Sequence, residues 1–73
     1  MCVGVPAKII ELEEERALVD VLGSKMYVGI IFVPNVMIGD FVLLHAGQAM
    51  SIIEESFAEE SLKEWRDILN AAD

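Results

Sequence analysis

The sequence is poor in reactive chemistry. Its 73 residues hold one Cys, one His, two Pro, one Trp and one Tyr. A single thiol forms no intrachain disulfide, which excludes a disulfide-stapled secreted scaffold. Ser-His-Asp spacing, a phosphate-cradling Gly loop and an HExxH pair are all missing, so an enzyme working through its own side chains is not expected. Cations are scarce too. Five Lys and Arg stand against thirteen Asp and Glu, a net charge of -8. Such a chain repels phosphate backbones and anionic bilayers, so nucleic acid and membrane surfaces are not the expected partners. The longest apolar stretch, Met26 to Ile38, is interrupted by Gly29, Pro34 and Asn35. It falls short of the roughly 20 residues of a spanning helix. The start, Met1-Cys2-Val3-Gly4-Val5-Pro6, has no basic region or apolar segment of a signal peptide and no lipobox before Cys2. A cytoplasmic, reducing location is the expectation.

What is present is apolar. Hydrophobic residues make up 55% of the chain, in a length that suits one domain (1–73) with a thin core. A body this small cannot hide them all, so part of the apolar surface should face a partner or a second copy. The first three quarters read as strands. Val3 to Leu12 is β-branched and apolar, Glu13-Glu14-Glu15 is a charged turn, and Arg16 to Leu22 alternates with Ala17, Val19 and Val21 on one face. Gly23-Ser24 has the chemistry of a two-residue hairpin loop. A third strand is expected over Lys25 to Val33, ended by Pro34. Phe41 to Ala46 and Ala49 to Ile53 follow, separated by Gly47. Short strands at close intervals predict a mainly β fold, a small OB-like antiparallel barrel over 1–54. A two-layer sheet under a helix is the alternative.

From Ser56 the period changes to that of a helix, expected over 56–72 and packed on the barrel. Ser56 and Glu59 have the spacing of a capping box. Ala58, Leu62, Trp65, Leu69 and Ala72 then form one apolar stripe. Trp65 docks the helix on this reading; a detachable recognition helix is the sharper one.

The residues with chemistry to offer reduce to Cys2 and His45. Chain ends are usually exposed, and if Met1 is removed the thiol lies beside a free α-amino group. That group titrates at about 7.7–8.0, and its positive charge favours the thiolate. Amine and thiolate together would chelate a soft metal. His45 ends an apolar run and shares a face with Phe41 and Leu43. A lone His there is ordinarily a satisfied structural imidazole and less often a ligand. Cys2 and His45 would supply two ligands for one ion, an incomplete site that suits transfer. Glu13-Glu14-Glu15 and Glu54-Glu55 read as solvated turns, and Met37 and Met50 as core filling rather than partner contacts.

Met1-Cys2-Val3-Gly4-Val5-Pro6, with Ile9 following, resembles the N-terminal signature of the HypC/HupF family of [NiFe]-hydrogenase maturation chaperones. The segment from Gly39 to Met50, a glycine-led strand ending in His45, Ala46 and Gly47, resembles that family's second motif. The resemblance implies a small barrel with a C-terminal helix and no catalysis of its own. It implies HypD as the partner on which iron bearing cyanide and carbon monoxide is assembled, with HypE reached through the HypD complex. Delivery to the hydrogenase large-subunit precursor would follow. No tightly bound cofactor is implied. By motif the family's essential Cys corresponds to Cys2 and its His to His45, with Pro6 fixing the chain after the thiol at the docking surface. Gln48 departs from the aromatic residue common in the family. Two rival classes are an OB-type nucleic-acid-binding module, opposed by the acid excess, and a thiol-redox adaptor, which lacks a resolving Cys.

Overall fold

The computed structural model describes residues 4–71. It contains strands β1 (Val5–Leu12), β2 (Arg16–Val21), β3 (Ser24–Gly29), β4 (Phe41–His45) and β5 (Gln48–Ile53), then helix α1 (Glu55–Ala71). The strands close a barrel in the order β1-β2-β3-β5-β4. All pairings are antiparallel except the closing one, where β3 meets β5 in parallel at the single pair Gly29↔Gln48. A closed five-stranded barrel is the OB-like shape that the turn spacing predicts. The sheet closes on itself, so the two-layer alternative falls away.

β1 serves two walls. It pairs with β4 over Val5 to Lys8 and with β2 over Lys8 to Leu12, and its register shifts between Ile9 and Glu11. A bulge there bends the strand as it changes partner. Pro6 precedes the start of the β2 ladder, so its missing amide hydrogen removes no bond on that side. Alternation sorts the faces: Ala7, Ile9, Ala17, Val19, Val28, Val42, Leu44 and Ala49 form the interior. Three of these are alanines with 0% exposure, because a narrow barrel leaves no room for longer side chains at those levels.

Three local expectations are corrected. The third strand stops at Gly29, well before Val33. Beyond it the backbone turns repeatedly: Val33 N–H donates to Ile30 O at 3.1 Å, Val36 N–H to Val33 O at 3.1 Å and Asp40 N–H to Met37 O at 3.0 Å. These turns bury Ile30, Val33 and Val36 against the barrel core and leave Ile31, Phe32, Met37 and Ile38 exposed. The first hairpin loop is Leu22-Gly23, not Gly23-Ser24. Val21 pairs with Ser24, and both loop residues have positive φ, 54° and 93°, the type I′ geometry that matches strand twist. The helix begins at Glu55, and Ala58 N–H donates to Glu54 O at 2.9 Å. Ser56 therefore lies inside the first turn rather than at the cap.

α1 packs on β1 and β4. Its stripe grips through Ala58 and Leu62, which are buried, then through half-buried Trp65, and has let go by Leu69, 52% exposed.

Candidate functional site

The second motif folds into a β4–β5 hairpin. His45 pairs with Gln48 across Ala46 and Gly47, both at positive φ (54° and 78°). Period 2 turns Val42 and Leu44 into the barrel and Leu43 and His45 outward. His45 is exposed and makes no hydrogen bond with a described residue. A packed, satisfied imidazole is thus not what the structure holds; the ring is open to solvent at the strand end.

That strand end adjoins the start of β1. Val5 pairs with Leu44 and Pro6 with Leu43. Gly4 enters so closely that a Cβ on it would lie 2.5 Å from Leu44 O and 2.7 Å from Leu43 Cγ. Cys2 lies outside the described residues. Pro6 is under 2% exposed and alternates with inward-facing Val5 and Ala7, so it stands on the outer side of β1, the side against which α1 packs. In the chain by itself the fold covers its ring, and its fixed φ sets the strand direction there.

Beside Gly4 lies a cleft of about 510 Å³ between α1 and β4, lined by Leu43, Phe57, Ser61, Glu64, Trp65 and Ile68. Phe57 and Ile68 are 53% and 62% exposed. Half-buried Trp65 helps dock the helix, as expected, and also offers an edge to the cleft. The signal for this cleft was present in the sequence as apolar residues off the main stripe, at positions 57 and 68.

Two further apolar surfaces had no such signal. Met26 pairs with Val19 and Ile52 with Val42. Directly opposed residues share a face, so both occupy inward register, yet they are 47% and 44% exposed. Each lies away from Gly29↔Gln48, the one residue pair that joins β3 to β5. Met50 sits at the register shift of β5 and is 44% exposed, and Met37 is 64% exposed. Neither fills the core, which corrects the expectation for both.

The seam itself is tight. A Cβ on Gly29 would overlap the Gln48 carboxamide, so only glycine lets that side chain lie across β3. Gln48 Oε1 is buried there without a hydrogen-bond partner among the described residues.

Charge is concentrated at the turns. Glu13, Glu14 and Glu15 are exposed, and Arg16 Nε donates to Glu13 Oε1 at 2.9 Å. The hydrogen bond to Glu13, with its negative charge, holds the Arg16 guanidinium pKa above its usual value. The same guanidinium stacks 4.0 Å from the Tyr27 ring centroid. Among the described residues no three His, Cys, Asp or Glu side chains gather as a metal site. No helix among them is long and apolar enough to cross a membrane.

The sequence comparisons agree with these motifs. The model of the HupF/HypC family matches residues 1–65. Hydrogenase maturation factor HypC of Helicobacter hepaticus is 40% identical over 73 residues, covering 97% of this chain and 85% of that protein. Hydrogenase maturation factor HybG of Escherichia coli K12 is 37% identical over 75 residues, covering 93% and 92%. Frd operon uncharacterized protein C of Proteus vulgaris is 46% identical over 69 residues, covering 85% and 72%. With barrel, helix and both motifs in place along its length, the chain belongs to the HupF/HypC family, that of the hydrogenase maturation chaperones.

Proposed function

We propose that this protein is a cytoplasmic, non-catalytic chaperone that works with HypD in assembling the iron group bearing cyanide and carbon monoxide. It then carries that iron, its cargo rather than a resident cofactor, to the hydrogenase large-subunit precursor. HypE is reached through the HypD complex. The Cys2 thiolate makes the contact, with iron or with a partner's Cys, and His45 is the second group within the same end of the fold.

One observation carries this reading: the chain enters β1 at Gly4, directly beside the end of β4 that bears His45. One residue, Val3, separates Cys2 from Gly4, a covalent reach of at most about 7 Å between their Cα atoms. The thiol is therefore tethered to the barrel end that also presents the apolar cleft of Leu43, Phe57 and Trp65. An exposed imidazole and an unfilled cleft beside a tethered thiol suit a carrier that receives a partner's surface and shares an ion with it. Neither group completes a coordination shell alone, which keeps the cargo transferable.

The test is co-purification of Cys2→Ala with HypD and with the large-subunit precursor, alongside infrared spectra of the wild-type complex. The variant should keep its barrel circular dichroism and lose both stable complexes, and the wild-type complex should show cyanide and carbon monoxide stretches. Retention of both partners by Cys2→Ala at wild-type levels overturns the reading.

A further inference from the structure

The opposite flank of α1 carries a different chemistry. Between the helix and the β2–β3 hairpin lies a cleft of about 770 Å³ whose lining includes Lys8, Lys63 and Arg66. The whole chain has five Lys and Arg, so three of the five meet here. None is ion-paired with a described carboxylate; the one ion pair among the described residues is Arg16 with Glu13. Lys8 Nζ stands 5.9 Å from the centroid of the half-buried Phe41 ring, within cation–π reach. Phe41, Leu22 and Leu62 make an apolar wall, and Asp20 and Glu59 lie among the cations. Asp20 Oδ1 is already engaged, accepting the Gly23 N–H at 2.9 Å.

We propose that this cleft is a second docking site and that it takes an acidic segment of a protein partner. On a molecule of net charge -8, three unpaired cations in one concavity form a local attractor for carboxylates. The apolar wall needs an aliphatic or aromatic side chain beside those carboxylates, and Glu59 needs a donor such as a peptide N–H. A polypeptide brings all three. Inorganic phosphate would leave the wall uncovered. A nucleic acid would press a regular polyanion against Asp20, Glu59 and the acidic remainder of the chain. Positions 59, 62, 63 and 66 face nearly away from positions 57, 61, 64 and 68 on a helix of 3.6 residues per turn. The site is thus separate from the Gly4 cleft and does not involve Cys2.

Titration of the 15N-labelled full chain with a short synthetic peptide of alternating Glu and Leu tests this. The expected result is saturable shifts at Lys8, Leu22, Gly23, Phe41, Lys63 and Arg66, weakening as salt is added. Two double variants at exposed positions, Lys63→Glu/Arg66→Glu and the milder Lys63→Gln/Arg66→Gln, should each keep their helical circular dichroism. The charge reversal should lower affinity at least about tenfold and the neutral pair less. The proposal is overturned by no binding, by shifts centred on Arg16 or Lys25, or by unchanged affinity in both double variants. An equal response to inorganic phosphate, to an oligothymidylate or to a Lys-Leu peptide overturns it as well. No hydrogenase component enters the experiment, so its outcome is independent of the Cys2 reading.

Discussion

Two sides of the barrel are finished in different ways. On the β1–β4 wall α1 lies across the sheet, and even outward-facing Pro6 is under 2% exposed. Across the β3–β5 seam a single pair closes the barrel, and inward-register Met26 and Ile52 are 47% and 44% exposed. An outward residue is buried and two inward ones are not. Residue alternation states which way a side chain points; it does not state whether the neighbouring strand is close enough to exclude water. For a protein whose family acts on other proteins, the difference divides labour. The covered wall holds the fold, and apolar residues stay exposed on the other side, Ile31 and Phe32 after β3 among them.

The largest effect expected from breaking this contrast is on the covered wall. Leu62→Ala removes the best-buried long side chain of α1 and should cost about 2 kcal/mol, lowering the melting midpoint by roughly 10 °C. Thermal circular dichroism checks it; a change within one or two degrees would mean that α1 does not hold the wall. Next is the seam's one closing pair. Gly29→Ala places a methyl against the Gln48 carboxamide, the movable end of a flexible side chain, and should cost about 1 kcal/mol in urea unfolding. Gln48→Ala in the same chain should restore much of that, and strictly additive losses would remove the contact from the account. Smallest, for the isolated chain, are Met26→Ser and Ile52→Ser, each expected within about 1 kcal/mol of wild type. A loss as large as that of Leu62→Ala would show the seam covered in solution, and sedimentation would reveal a second copy as the cover.

Much of the fold was legible in the pattern. Ala17 and Val19 alternate into the core as their spacing requires, and Ala58 and Leu62 lie under the helix as the stripe requires. Turn chemistry located the β2–β3 and β4–β5 hairpins but missed the β2–β3 loop by one residue. Leu22 was passed over because leucine at φ 54° is locally unfavourable, and only the paired strands on either side impose it. The run from Ile30 to Val33 reads as strand because its residues are β-branched and apolar. In the fold Ile30 and Val33 join the core through successive turns while Ile31 and Phe32 stay exposed, a choice made by tertiary packing and not by propensity. For the site, Cys2 and His45 were named by residue type and motif. The cover over Pro6 and the basic cleft were not visible, since each depends on where α1 comes to rest.

The sequence alone determined the barrel-plus-helix class and the family, and it named Cys2 and His45 as the candidates for chemistry. Period, turn residues and motif are local properties of the chain, and local properties survive in a one-dimensional reading. Only the tertiary structure decided which apolar residues stay wet and which cations converge. Burial and charge clustering are sums over neighbours distant in sequence, and those neighbours are assigned by strand order, by the single pair that closes the barrel and by the face on which the helix lands.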